Sequence, residues 1–205
     1  MGFYQSRILP KIIDLSMRNR DLAAYRERVL SAAAGRVLEI GIGSGLNLPF
    51  YTERVTQVVG LEPAPRLLAM TQQAARHQRI AVELISASAE SIPFPDRQFD
   101  TVITTWTLCS IPAVSAALDE MRRVLKPTGR LLFVEHGRAP DENVRRWQDR
   151  LTPVWKHIGG GCHLNRPIRE LIEGGGFRIE HLQLGYMKGP KPMTYMYEGR
   201  AARTE

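Results

Sequence analysis

The chain has 205 residues, 43% of them hydrophobic and 24% charged, with a formal net charge of +7. That length suits one domain with modest additions and allows a substantial apolar core. No apolar run approaches the roughly 20 residues of a membrane span, and Asp14, Arg18, Asn19 and Arg20 interrupt any signal-peptide core, so a cytoplasmic protein is expected, peripheral at most at the inner membrane face.

Residues 3–33 predict one or two amphipathic helices, with Ile8, Ile12, Leu15, Leu22, Tyr25 and Val29 at helical spacing and a stop at Gly35. A strand over Arg36–Ile40 runs into the loop Gly41-Ile42-Gly43-Ser44-Gly45, and a second strand, Gln57–Leu61, ends at Glu62-Pro63. A helix follows at Arg66–His77. Further strands are expected at Ile80–Ser86, Phe99–Thr105 and Arg130–Glu135, with helices near Ala113–Leu125 and Arg166–Glu173. After Gly174-Gly175-Gly176, the runs Phe177–Leu184 and Met193–Glu198 are joined by turn residues and predict an antiparallel hairpin.

This order predicts an α/β, Rossmann-like fold: a seven-stranded, mostly parallel sheet with a C-terminal antiparallel hairpin, helices on both faces, and ligands at the strands' carboxyl ends. A single domain over 1–205 then divides into a helical cap (1–34), a cofactor-binding core (36–136), an insertion on the acceptor side (137–165) with a flexible turn at Gly159-Gly160-Gly161, and a terminal helix and hairpin (166–199).

Basic residues concentrate in two segments: Arg7, Lys11, Arg18, Arg20, Arg26 and Arg28 in the first, and Arg138, Arg145, Arg146, Arg150, Lys156 and Arg166 in the second. Amphipathic basic segments suit weak contact with an anionic membrane. Without an RNA-binding signature or a long Lys/Arg run, nucleic acid is not an expected partner. Cys109 and Cys162 form no CxxC pair and no metal-ligand spacing, so neither a disulfide nor a metal is expected.

Glycines at 41, 43 and 45 directly after a strand let the backbone turn tightly and approach a nucleotide closely. GxGxG alone is a weak signal, but Glu62 at the end of the next strand is placed to accept hydrogen bonds from ribose hydroxyls. Glu39 discriminates further. A carboxylate there repels a pyrophosphate but suits an ammonium group, and no Gly-Lys-Ser/Thr makes this a phosphate loop.

With these residues the chain resembles the class I S-adenosylmethionine-dependent methyltransferases, in the UbiE-like group, from about residue 36 to 199. Leu38–Gly45 matches their first motif, Glu62 their ribose acid, Ala89–Asp100 their acidic loop and Glu120–Arg130 the approach to their fifth strand. The resemblance implies S-adenosylmethionine as cofactor, S-adenosylhomocysteine as product, and a site of Glu39, Gly41, Gly43, Gly45, Asn47, Glu62, Pro63, Ser88, Ala89, Glu90, Thr104 and Thr105. Ser88 stands where many relatives carry an aspartate facing adenine, which leaves that contact to the Ala89 backbone and a weaker hydroxyl.

Within the fold, Thr107–Ile111, Val134–His136, Trp147-Gln148, Leu151, Pro153, Trp155, Gly161-Cys162, Leu164 and Arg166 resemble the thiol S-methyltransferases of animal microsomes and their bacterial relatives. That implies a small thiol as acceptor. Phosphatidylethanolamine N-methyltransferases resemble the chain second, and quinone-ring C-methyltransferases third. His136, Cys109 and His163 are the candidate catalytic residues. His136 stands either as a base or as a structural histidine, and the aromatics of 147–157 read first as packing.

Overall fold

A computed structural model describes residues 4–204; Met1 to Phe3, where the first expected helix begins, and Glu205 lie outside the described residues. Strands β1 (Gly35–Ile40), β2 (Val55–Leu61), β3 (Ala81–Ile85), β4 (Phe99–Thr105), β5 (Leu125–His136), β6 (Phe177–Tyr186) and β7 (Tyr195–Arg203) form one sheet in the order β3-β2-β1-β4-β5-β7-β6. The first five are parallel, and β7 runs antiparallel between β5 and β6. The Rossmann-like expectation therefore holds, with two local differences. β5 begins at Leu125, which pairs with Phe99 before an irregularity, and β7 extends to Arg203, well past Glu198.

The sheet separates two cores. Leu38, Ile40, Val102, Leu131 and Phe133 pack on one face with α4 (Val114–Val124) and α6 (Ile168–Gly174). Val37, Ile103, Leu132 and Val134 alternate to the other face, under Val29 and Leu30 of α2 (Arg20–Leu30) and the end of α3 (Pro65–Ala75). Burial on both faces is why the parallel strands read as nearly continuous apolar runs.

The N-terminal segment makes two helices, α1 (Leu9–Met17) and α2, after a π-helical turn at Tyr4–Ile8. They break at Asn19, whose side chain accepts from the Asp21 amide at 2.9 Å and caps α2.

Sequence periodicity gives no helix in 137–165, yet α5 (Glu142–Ile158), at 17 residues, is the longest helix among the described residues. Its pattern is inverted. Gln148 and Thr152 face inward, while Trp147, Leu151, Val154 and Ile158 are exposed, Val154 to 66%. The Gln148 side chain bonds the backbone of Ala139, Gly137 and Pro192, so amide hydrogen bonds dock the helix in place of an apolar stripe. Packing is therefore not the role of Trp147, which is 55% exposed. Pro153 lies inside the helix, whose end at Gly159 begins the expected glycine turn.

Candidate active site

β1 delivers the glycine loop to the carboxyl edge of the sheet. Gly41, Gly43 and Gly45 all have positive φ, at 66°, 60° and 80°. A β-carbon on Gly41 would lie 2.5 Å from the Thr107 side chain, whereas one on Gly43 would meet nothing nearer than the Gly41 carbonyl at 3.8 Å. The first glycine thus lets the loop after β4 close against it, and the second leaves an open cradle. Glu62, at the end of β2, is buried and accepts from the amides of Gly43 at 3.1 Å and Ala64 at 2.9 Å. Burial raises its pKa, and the two amide hydrogen bonds oppose that rise.

Glu39 lies beneath the loop, 1% exposed. One carboxylate oxygen accepts from Asn47 Nδ2 and the other from the Tyr51 hydroxyl, each at 2.7 Å. Asn47 Nδ2 also donates to Thr105 Oγ1 at 3.0 Å, and Asn47 Oδ1 accepts from Arg26 Nε at 3.0 Å. Burial pushes the Glu39 pKa up to about 7 against these donors and the Arg26 charge. Arg26 is itself 4% exposed, sits 4.9 Å from the Trp106 ring centroid, and is lowered by burial to about 10. On α1, Asp14 accepts from Arg18 Nε at 3.0 Å, and its pKa is lowered: burial raises it, but Arg18 and the Ser44 hydroxyl of the loop outweigh that. α2 therefore contributes a charged side chain beneath the glycine loop.

After β3, Ser88 Oγ donates to Glu90 at 2.7 Å, and Glu90 accepts from the Ala113 amide at 2.7 Å, tying this turn to the start of α4. Thr104, expected among the cofactor residues, is fully buried and donates to Glu135 at 2.6 Å, so its hydroxyl supports a carboxylate on the other side.

That carboxylate organises the loop after β4. Glu135 Oε1 also accepts from the Thr107 amide at 3.1 Å, while Oε2 is buried without a partner, and burial pushes the group up to about 8. Trp106 takes the left-handed conformation at φ 50°, a strained geometry for a bulky residue that turns the chain sharply toward Cys109.

Cys109, His136 and Cys162 converge here from the loop after β4, the end of β5 and the turn after α5. One ring nitrogen and both sulfurs lie within 4.8 Å of one another, with His136 Nε2 3.1 Å from Cys162 Sγ. Both cysteines are free thiols. The hydrogen bond from Cys162, helped by the His136 charge, holds the Cys109 thiol well below its usual range against burial. The same pairing, together with burial, pushes Cys162 up. His136 is raised: burial lowers it, but the Cys109 charge and hydrogen bond outweigh that. His163 is not part of this cluster; its amide at 2.9 Å and Nδ1 at 3.2 Å both meet the Cys109 carbonyl.

Residues 38–133 match the family described as Methyltransferase domain. The chain is 34% identical over 167 residues to thiol S-methyltransferase TMT1B of Rattus norvegicus and 32% identical over 176 residues to that of Homo sapiens, matches that cover 80% and 83% of this chain. It spans about two thirds of those relatives, 66% of the rat protein and 70% of the human one. It is also 34% identical to phosphatidylethanolamine N-methyltransferase of Cereibacter sphaeroides, over 52% of this chain and 53% of that protein. Among solved structures, the 1,6-didemethyltoxoflavin-N1-methyltransferase of Burkholderia thailandensis, with bound S-adenosylhomocysteine, superposes with a TM-score of 0.70 at 14% identity, covering 96% of this chain and 84% of that one. This chain is an S-adenosylmethionine-dependent methyltransferase.

In the methyltransferase, the expected cofactor residues Glu39, Gly41, Gly43, Gly45, Asn47 and Glu62 gather at one end of β1 and β2, and Cys109 and His136 gather beyond β4 and β5. Open space at Gly43 and the unused lone pairs of Glu62 fit a nucleoside. When bound, S-adenosylmethionine supplies an electrophilic methyl group on a sulfonium. Sequence alone does not single out Arg26 or Tyr51 as site residues, and it gives Glu135 no role beyond its place in the Val134–His136 likeness. A signal for Arg26 existed: with Leu22, Val29 and Leu30 it shares the buried face of α2, and an unpaired charge on such a face needs a partner. The cysteine spacing, which carries no local metal motif, conceals a Cys-His-Cys cluster assembled from distant segments.

Proposed function

We propose that the methyltransferase transfers its methyl group to the sulfur of a small thiol. The observation that carries this reading is the cluster of Cys109, His136 and Cys162, because the insertion after β5 contributes Cys162 to a sulfur- and imidazole-lined site on the loop after β4, whose Thr107 abuts Gly41. The likeness to thiol S-methyltransferases extends over that insertion, covering 83% of the chain for the human relative. Glu62 and the cradle at Gly43 would hold the ribose, and Glu39 with Asn47 would set the negative field that favours the cofactor's ammonium. Asn47 and Thr105 link that half of the site to β4.

Displacement at a sulfonium methyl needs chiefly alignment and exclusion of water. The N-terminal helices and α5 are suited to that exclusion, since the Tyr4 hydroxyl bonds the Ile158 carbonyl at 3.0 Å and Leu9 and Ile13 abut Gly160. His136 would sit near the acceptor sulfur. The reading is tested by incubating the protein with methyl-labelled donor and panels of alkyl thiols, phospholipids, demethylated quinols and RNA. Label in thioethers supports it; label in phosphatidylethanolamine alone replaces it with the phospholipid reading.

We further infer that α1 and α5 rest on an anionic membrane. No helix among the described residues is long and apolar enough to cross one. Trp147, Leu151, Val154 and Ile158 nevertheless form an exposed stripe on α5, with Ile8, Ile12 and Leu15 exposed on α1. Arg7, Lys11, Arg145, Arg146, Arg150 and Lys156 lie on the same segments, which suits shallow insertion with charges toward lipid headgroups. A lipid-soluble thiol could enter from that side.

A further inference from the structure

Taking the thiol reading above as its basis, we propose that Cys109, His136 and Cys162 hold a zinc ion whose fourth coordination position receives the acceptor's sulfur. Two sulfurs and one imidazole nitrogen are a soft donor set suited to zinc. Zinc at about 2.3 Å from sulfur and 2.0–2.1 Å from nitrogen, in tetrahedral geometry, sets its ligand atoms about 3.6–3.8 Å apart. The three atoms already lie within 4.8 Å of one another, with His136 Nε2 and Cys162 Sγ at 3.1 Å, so small side-chain rotations admit the ion. Among the described residues no fourth cysteine, histidine or carboxylate joins the cluster. Three protein ligands with one position left over is the arrangement of catalytic zinc, whereas structural zinc is fully enclosed by protein.

The ligands are held in place without an ion. The Cys109 carbonyl is fixed by His163, and Arg166 donates to the carbonyls of Leu108 and, at 2.6 Å, Ile111 on either side of Cys109. Cys162 is anchored by its amide to the Gly159 carbonyl at 3.3 Å, and His136 by the ladder of β5 to Met196. These backbone bonds fix where each ligand residue sits, while the second ring nitrogen of His136, Nδ1, is buried without a partner. Cys162 is half-buried and Cys109 almost wholly buried, which places the access route on the Cys162 side.

The chemistry balances. The incoming thiol gives its proton to water and binds as a thiolate. Its sulfur lone pair then forms the new carbon–sulfur bond as the methyl's bond to the sulfonium breaks, and that electron pair stays on the departing sulfur. The neutral thioether is a weaker ligand and leaves, so the ion is neither oxidised nor consumed.

The full chain, purified under a phosphine reductant and dialysed against zinc, is expected to retain one equivalent of the ion by elemental analysis. His136→Ala and Cys162→Ser should each weaken zinc binding at least about tenfold while S-adenosylhomocysteine binding persists. Cobalt in the unaltered chain should give thiolate-to-metal charge-transfer absorption, and ethanethiol should shift its ligand-field bands. Substoichiometric zinc, or a Cys109–Cys162 disulfide in the freshly reduced protein, overturns the site. Cobalt bands indifferent to ethanethiol overturn the fourth-position assignment. A loaded protein whose bands respond to the thiol but which methylates none keeps the metal site and fails the thiol reading.

Discussion

Arg26 donates through Nε to Asn47 Oδ1 at 3.0 Å, joining the N-terminal cap to the residue that also holds Glu39. Replacing Arg26 with alanine leaves Asn47 without that donor and removes a positive charge near a buried carboxylate. Affinity for S-adenosylhomocysteine is expected to fall by about 1.5–3 kcal/mol, roughly ten- to a hundredfold. Arg26→Lys should recover only part of the loss, since an ammonium cannot reproduce the planar donor beside the Trp106 ring. Calorimetric titration decides, and unchanged affinity in Arg26→Ala would separate the cap from the cofactor site.

Glu62 is expected to carry a comparable share of cofactor affinity. Glu62→Ala should cost about 1.5–3 kcal/mol of binding, because it removes a charged acceptor together with the support it gives the Gly43 amide. Glu62→Gln should fall between the two proteins. If alanine binds the product as tightly as the parent chain, the ribose assignment is wrong.

Glu39 makes folding and binding depend on pH in opposite directions. Its ordinary pKa of 4.5 rises to about 7 on burial, so the folded chain holds a proton through that window. The stability this contributes is fully present below pH 4.5 and is lost as pH rises through about 7, a difference on the order of 3 kcal/mol. Glu39→Gln should flatten that part of a denaturation profile measured between pH 4.5 and 8. The cofactor's ammonium favours the ionised carboxylate, so affinity should climb toward pH 7 in the parent protein and stay level in the variant. Equal pH slopes in the two proteins would contradict both expectations.

The sheet, its order of elements and the glycine loop were legible because they rest on local signals: apolar runs, glycines after a strand, an acid at the next strand's end. α5 was not legible, because its inward face carries Gln148 and Thr152 while its apolar residues point outward. Periodicity finds a stripe but cannot tell which way it faces. The acceptor-side cluster was hidden for a different reason: Cys109, His136 and Cys162 are far apart in sequence and meet only through the register of β4 and β5 and the return of the chain after α5. Thr104 sat at the expected strand end, yet strand alternation turns its hydroxyl to Glu135.

Membrane association should depend on both lipid charge and the exposed stripe. Co-sedimentation with vesicles containing phosphatidylserine is expected at low salt and should be released as ionic strength rises, each basic side chain near the surface adding about 1 kcal/mol. Trp147→Ala and Val154→Asp should weaken it without affecting cofactor binding, since both side chains are exposed. Equal binding to neutral vesicles, or to no vesicles at all, would remove the membrane from the account.

The acceptor's identity is tested most directly by competition. One reaction containing methyl-labelled donor, an equimolar alkyl thiol, phosphatidylethanolamine in vesicles and a demethylated quinol, resolved by mass spectrometry, ranks the three acceptors by transition-state preference within a single enzyme population. The account predicts label in the methyl thioether, with initial rates rising toward the pKa of the bound thiol and falling in His136→Ala. Label confined to the phospholipid or the quinol, with the thiol unmodified, would contradict it.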